Sequence, residues 1–218
     1  MPSYTPENAP APLDMNTFKE VSANYGSLAK SCRFVVRISP NGTNNPLKQY
    51  LSFFRDLVYL CEVAEFPGRG FINIDNIRYY GPSFKMPVQS SYEDITLTFL
   101  CRSQGVERQL FDDWMDVVNP VNTFDFNYRD DYACTIDIFQ YSEYTTQGNN
   151  SAEPVYMFSL QDAWPVLVNP QPITWADDQF LRLGVTFTYT KWLRPGLDPT
   201  STVSADGSYN YITTAINR

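Results

Sequence analysis

The stretch QFLRLGVTFTYTKW, Gln179 to Trp192, decides how the rest of the chain is read. Taken with the two-residue period of an extended strand, it places Leu181, Leu183, Val185, Phe187 and Tyr189 on one side. Arg182, Gly184, Thr186, Thr188 and Thr190 fall on the other. The first side is the wall of a hydrophobic core. The second is a row of β-branched hydroxyls with one charge, unlike the charged outer face of an ordinary half-exposed strand.

The pattern recurs upstream. In YEDITLTFLCR, Ile95, Leu97, Phe99 and Cys101 alternate with Asp94, Thr96 and Thr98; in YACTIDIFQY, Cys134, Ile136 and Ile138 alternate with Thr135 and Asp137. SCRFVVRISP adds an early strand through Cys32, Phe34, Val36 and Ile38, ending at an Asn41-Gly42 turn signal, and PVYMFSLQ adds a later one. Between Gly105 and Pro120 the period lengthens. There Val106, Leu110, Trp114, Val117 and Val118 form one stripe of an amphipathic helix that Asn119-Pro120 ends. Leu110, Trp114 and Val118 are its expected packing residues, and Glu107, Asp112, Asp113 and Asp116 lie on or beside one acidic face.

Three segments are less decided. From Asn45-Pro46 onward, Leu47, Tyr50, Leu51, Phe54 and Val58 fit a short helix and equally a strand approach. LVYLCEVAEF, Leu57 to Phe66, reads as a strand stopped by Pro67-Gly68. FINIDNIRYY and SFKMPV flank Gly81-Pro82 as an exposed hairpin or loop excursion. Residues 1–30 and 194–218 are polar and aperiodic, so the expected organisation is one mainly β domain over 31–193 between two arms.

Composition narrows the function. The 218 residues carry 24 acids and 16 bases, a net charge of −8, with no run of Lys or Arg, which argues against a tight grip on nucleic acid. Charged residues are 18% of the chain, below the usual value of about 25%, while aromatics reach 16%. Few charges and many rings fit a surface partly covered by other copies of the chain, and equally an aromatic-rich β domain. Four widely spaced cysteines read as buried free thiols of a reducing compartment. Neither a secretory segment nor a membrane-spanning apolar run is recognisable, so no membrane insertion is expected, and the glycosylation-like triplets at Asn41 and Asn149 read as chance.

Chemistry is scarce as well. The absence of histidine removes the commonest general base and the usual nucleophile pairs and zinc sites. Phosphate-cradling and dinucleotide-binding glycine motifs are missing, and no cofactor or metal is expected. The adjacent acids Asp112/Asp113, Asp130/Asp131 and Asp177/Asp178 leave open a two-carboxylate hydrolase, but sequence neighbours do not by themselves face each other across a substrate. Tyr79, Tyr80 and Trp175 leave open a sugar-binding β-sandwich.

RFVVRI, CEVAEFPG (Cys61 to Gly68), YEDITLTF, the helix carrying FDDW (Phe111 to Trp114), DDY at Asp130 to Tyr132, AWP at Ala163 to Pro165 and the closing Tyr-Trp strand follow one another in order. This order resembles the tail tube proteins of contractile-tailed bacteriophages, related in fold to the type VI secretion tube protein. The resemblance implies a β-barrel or sandwich with one principal helix, and a non-enzymatic structural protein of the virion, assembled in the bacterial host cytoplasm. It also implies homohexameric rings, their strands joined around a channel, stacked into the inner tube of a contractile tail. Implied partners are the chain itself, the tail sheath protein, baseplate proteins and a tape measure protein in the lumen, with DNA passing through unread. The long connection from Asn41 to Asp56 and the two arms also fit a tube-like baseplate protein that initiates or adapts the tube.

On this reading Thr96, Thr98, Thr135, Asp137, Thr186, Thr188 and Thr190 are candidates to line the lumen. Threonine keeps strand propensity high and offers hydrated, uncharged hydroxyls, whereas lysine or arginine there would hold phosphates. Ordinary solvent exposure of the same face is the alternative. Glu107, Asp112, Asp113 and Asp116 are the candidates to face the sheath, and the hairpin around Gly81 and both arms to meet neighbouring rings.

Overall fold

A computed structural model of the chain describes residues 30–42, 45–76, 84–141, 154–176 and 179–195, with positions 15, 16, 19 and 81 besides. The alternating segments form strands: β1 (Phe34–Pro40), β2 (Cys61–Ala64), β3 (Gly70–Asn76), β4 (Phe84–Ser91), β5 (Ile95–Leu100), β6 (Cys134–Tyr141), β7 (Pro154–Val168), β8 (Arg182–Thr188) and β9 (Lys191–Leu193). Six lie in the order β1-β6-β7-β8-β5-β2, every pairing antiparallel, with β9 also on β7. The 15-residue β7 is the joint. Its first part pairs with β6 and β9 and its last part with β8, the change falling next to Asp162 at φ 54°, a left-handed conformation that aspartate tolerates better than most residues. The sheet thus has two halves, β1-β6-β7-β9 and β7-β8-β5-β2.

Both halves turn their apolar faces to one core. Val36, Ile38, Ile136, Ile138 and Leu160 come from the first half, and Ile95, Leu97, Phe99, Leu183, Val185 and Phe187 from the second; all are buried. Leu181 departs from the expected alternation, because β8 begins one residue later and leaves it 39% exposed. Cys32 likewise precedes β1 and is exposed.

The principal helix, α2 (Val106–Val118), starts at Gly105, whose φ of 65° only glycine adopts without strain. It buries Leu110, Phe111, Trp114 and Val118. Trp114 is fully enclosed, donates its indole N–H to the Tyr132 carbonyl at 2.9 Å, and packs with Phe54, Phe111 and Phe187 at centroid distances of 5.7, 6.2 and 5.9 Å. A polar end that finds its partner makes so large a buried ring stabilising.

Residues 45 to 57 resolve as helical, a 3-10 turn (Pro46–Tyr50) leading into α1 (Leu51–Leu57). Asn45 caps it, accepting from the Leu47 N–H at 2.9 Å and donating to the Ala133 carbonyl at 3.0 Å, while Leu47, Phe54 and Leu57 enter the core. That anchoring overturns the strand expected from Leu57: the residue ends a helix, and only Cys61–Ala64 is extended. A short helix α3 (Arg129–Tyr132) precedes β6.

β3 and β4 form a separate two-stranded sheet, the expected hairpin. The chain leaves β2 into β3 and returns from β4 into β5, so this arm continues the β2–β5 pair outward. Its root is pinned where the Trp192 indole donates to the Gly68 carbonyl at 3.2 Å and the Arg69 guanidinium lies over Tyr92. Register splits the arm into two faces: Ile72 pairs with Gln89, Ile74 with Met86 and Asn76 with Phe84, whereas Asn73 meets Pro87 and Asp75 meets Lys85. One face therefore gathers Ile72, Ile74, Met86 and Phe84, with Gln89 and Asn76 at its ends, and the other is largely polar.

Candidate assembly surfaces

Opposite the core, β5 and β8 carry the threonines in register. Thr96 pairs with Thr186, their hydroxyl oxygens 3.2 Å apart, and Thr98 pairs with Gly184. A Cβ on Gly184 would lie 2.8 Å from the Asn169 amide nitrogen, so glycine there lets the Asn169 side chain close over the strand. Thr188 pairs with Trp164 at the end of β8. Thr96, Thr98, Thr186 and Thr188 thus share one outer surface, together with Val63 from β2 and Leu167 from β7, which are 49% and 52% exposed. Its cation, Arg182, reaches across β5 to Glu62, with Nε–Oε2 2.5 Å and Nη2–Oε1 3.0 Å. These hydrogen bonds hold the Glu62 carboxyl below its ordinary range.

Thr190 does not join that row. β8 ends at Thr188, and the Thr190 hydroxyl accepts from Arg129, which also pairs with Asp162 at 3.2 Å. Thr135 and Asp137 lie on β6, in the other half of the sheet. The Thr135 hydroxyl donates to Asn41 Oδ1 at 2.7 Å. Asp137 points away from the core by register but is only 5% exposed, since Arg37 (2.6 Å) and the Ser159 hydroxyl (2.7 Å) close over its two oxygens. The expected set therefore falls into two separated groups and one loop residue.

The acids of α2 divide as well. Asp116 and Asp112 are exposed, the latter bonded to Arg108 one turn earlier. Asp113 accepts from the Tyr50 hydroxyl at 2.9 Å, which raises the tyrosine's pKa. Glu107 departs from the expected acidic face altogether, being 2% exposed. Burial pushes its pKa upward, but the Arg102 N–H at 2.9 Å, its own N–H and the Arg102 guanidinium at 2.5 Å outweigh this, leaving it lowered. It ties the first turn of α2 to the preceding loop.

Besides Val63 and Leu167, large apolar side chains are exposed in several places, three of them groups. On the arm, Phe71, Ile72, Ile74, Phe84, Met86 and Val88 are between 44% and 61% exposed. Between α2 and α3, Phe124, Phe126 and Tyr128 are at least 72% exposed. Between β7 and β8, Ile173, Trp175 and Phe180 are at least 80% exposed. Residue-level sequence reading missed the second group, although the period-two aromatics of NTFDFNY carry the signal. Tyr79, Tyr80, Asp177, Asp178, most of 1–30 and 196–218 lie outside the described residues.

Reactive chemistry is sparse among the described residues. No group of three or more acids and cysteines is placed to hold a metal. All four cysteines are free thiols, and burial pushes Cys61 up to about 12 and Cys134 well above its ordinary value, which keeps both protonated and unreactive. No described helix is long and apolar enough to cross a membrane.

A family model described as phage tail tube protein matches residues 29–195, which contain every strand and helix described above. The chain belongs to the phage tail tube protein family. A solved structure from the baseplate of the anti-feeding prophage is similar to this tail tube family member at TM-score 0.55 and 14% identity, over 78% of this chain and 96% of that one. The tube-terminating cap of the same prophage gives 0.53 and 16%, over 77% and 90%. The sheath/tube terminator of an extracellular contractile injection system, in its extended state, gives 0.52 and 15%, over 77% and 96%. At these identities the likeness shows a shared fold. No curated protein matches the chain.

Proposed function

We propose that this tube-type structural protein forms closed rings of six copies, stacked into the inner tube of a contractile tail, with a polar, weakly adhesive channel for DNA. The observation that carries the reading is the arm. A two-stranded hairpin is marginal alone in water, yet this one holds Ile72, Ile74, Phe84 and Met86 about half exposed on a single face. Another copy of the chain, in the same or the adjoining ring, is the partner that covers them. The threonine rows provide a wall that hydrates without attracting phosphate. Asp112 and Asp116 on α2 are left for the sheath, and a tape measure protein would occupy the channel during assembly.

A second reading has its own support. The neighbours named above come from baseplate, cap and terminator assemblies, beside a sheath-tube complex of comparable likeness, which leaves room for a tube-like protein at one end of the tail, contacting baseplate proteins. Negative-stain microscopy and light scattering of the purified chain test the pair. Long tubes support the repeating subunit, single rings that do not elongate support the end piece, and a persistent monomer contradicts both.

A further inference from the structure

The outer surfaces of the two sheet halves differ in their cations. On the β1-β6-β7-β9 half, register places Arg37, Phe139, Met157 and Lys191 outward. The Arg37 side chain stays 55% exposed although its Nε (3.2 Å) and Nη2 (2.6 Å) both donate to one oxygen of Asp137, and Lys191 is exposed. On the β2-β5-β8 half, the threonine hydroxyls share the surface with Arg182, whose fork is already filled at two points by Glu62. Glu62 sits where β2 slips register between Cys61 and Val63, and its carboxylate spans β5 to reach the guanidinium.

We propose that the β2-β5-β8 surface is the channel wall, and that Glu62 keeps it from holding polyanions by neutralising Arg182 and taking the Nε–Nη2 edge of its guanidinium. This rests on the tube reading and narrows it, for it removes Thr135 and Asp137 from the wall. A guanidinium fork binds phosphate with the same two-point geometry as carboxylate. Freed of Glu62, one such fork per subunit would recur around every ring, facing the axis. Each phosphate contact with a single strand contributes a salt slope of roughly 0.7, so six copies give a slope of about 4 per ring. Glu62 offers that same fork a partner that never diffuses away.

The test uses assembled wild-type protein with Glu62→Gln, Glu62→Gln/Arg182→Gln, Lys191→Gln and Thr98→Lys, titrated against a short fluorescent single-stranded oligonucleotide over a range of salt. Expected are no binding to wild type or Lys191→Gln, salt-dependent binding to Glu62→Gln and Thr98→Lys, and a return to wild type in the double variant. A purely structural rung between β2 and β8 predicts a lower melting temperature for Glu62→Gln with no gain of binding, and that outcome overturns the proposal. If Glu62→Gln fails to assemble, Thr98→Lys carries the test of the wall and its silence overturns it. Microscopy of the wild-type sample separates the two levels: absent rings sink the tube reading, whereas rings with the threonine surface turned outward sink this assignment alone.

Discussion

Replacing Ile72 and Ile74 together by aspartate attacks the apolar face of the arm without touching the core. Full burial of an isoleucine side chain stabilises by about 1.5 to 3 kcal/mol. These two are already close to half buried, at 54% and 56% exposure, so covering them contributes roughly 1 kcal/mol each. Placing a carboxylate in the same contact adds at least about 2 kcal/mol per site, whether it is desolvated or protonated first. The sum, about 6 kcal/mol per arm, corresponds to roughly four decades in association constant. Sedimentation velocity over a concentration series measures the shift, and thermal melting of the dissociated protein supplies the control. The melt should move by no more than about 2 kcal/mol, the contribution of the half of each side chain already buried within the subunit. A variant that assembles at the concentration of its parent would show that the arm is not an interface. One that loses several kcal/mol as a monomer would show that the face is already occupied within its own subunit.

Three further outcomes follow from the interior and from α2. Trp114→Ala should cost about 3 to 5 kcal/mol by chemical denaturation, and Trp114→Phe less, since a six-membered ring is kept while the rest of the indole and its bond to Tyr132 are lost. Glu107→Gln should cost roughly 2 kcal/mol at neutral pH by removing a charged acceptor of hydrogen bonds. Because the folded Glu107 pKa lies below the ordinary 4.5, its contribution is complete above that value and fades as pH falls through the folded pKa; melts of wild type and variant should therefore converge in acid. Asp112→Lys/Asp116→Lys should leave monomer stability within about 0.5 kcal/mol, the surface Arg108 pair being weak, and abolish co-assembly with sheath; unchanged co-assembly would remove the acids from that contact.

Much of the fold was legible because burial writes period two into strands and a longer period into α2. Leu97, Phe99, Leu183, Val185 and Phe187 are where alternation put them. The misplacements have local causes. The strand expected from Leu57 lost to a helix because Asn45 caps the chain and Leu47, Phe54 and Leu57 gain a common core, a long-range benefit that no local apolar run reports. Glu107 looked like part of an acidic face because its partner, the Arg102 backbone, becomes available only through the turn at Gly105. Among the candidate residues, the register of β5 on β8 groups Thr96, Thr98, Thr186 and Thr188, as alternation suggested. Separating Thr135 and Asp137 from them required knowing that β7 changes partners near Asp162, and the Glu62 to Arg182 bond spans 120 residues.

The most direct test is an electron cryomicroscopy map of the full chain after self-assembly, at a resolution that traces β5 and β8. The account predicts rings whose axis is faced by Thr96, Thr98, Thr186 and Thr188, with Ile72 and Ile74 of every arm covered by another copy. Dispersed single subunits with bare arms, or a channel walled instead by Arg37 and Lys191, would contradict it.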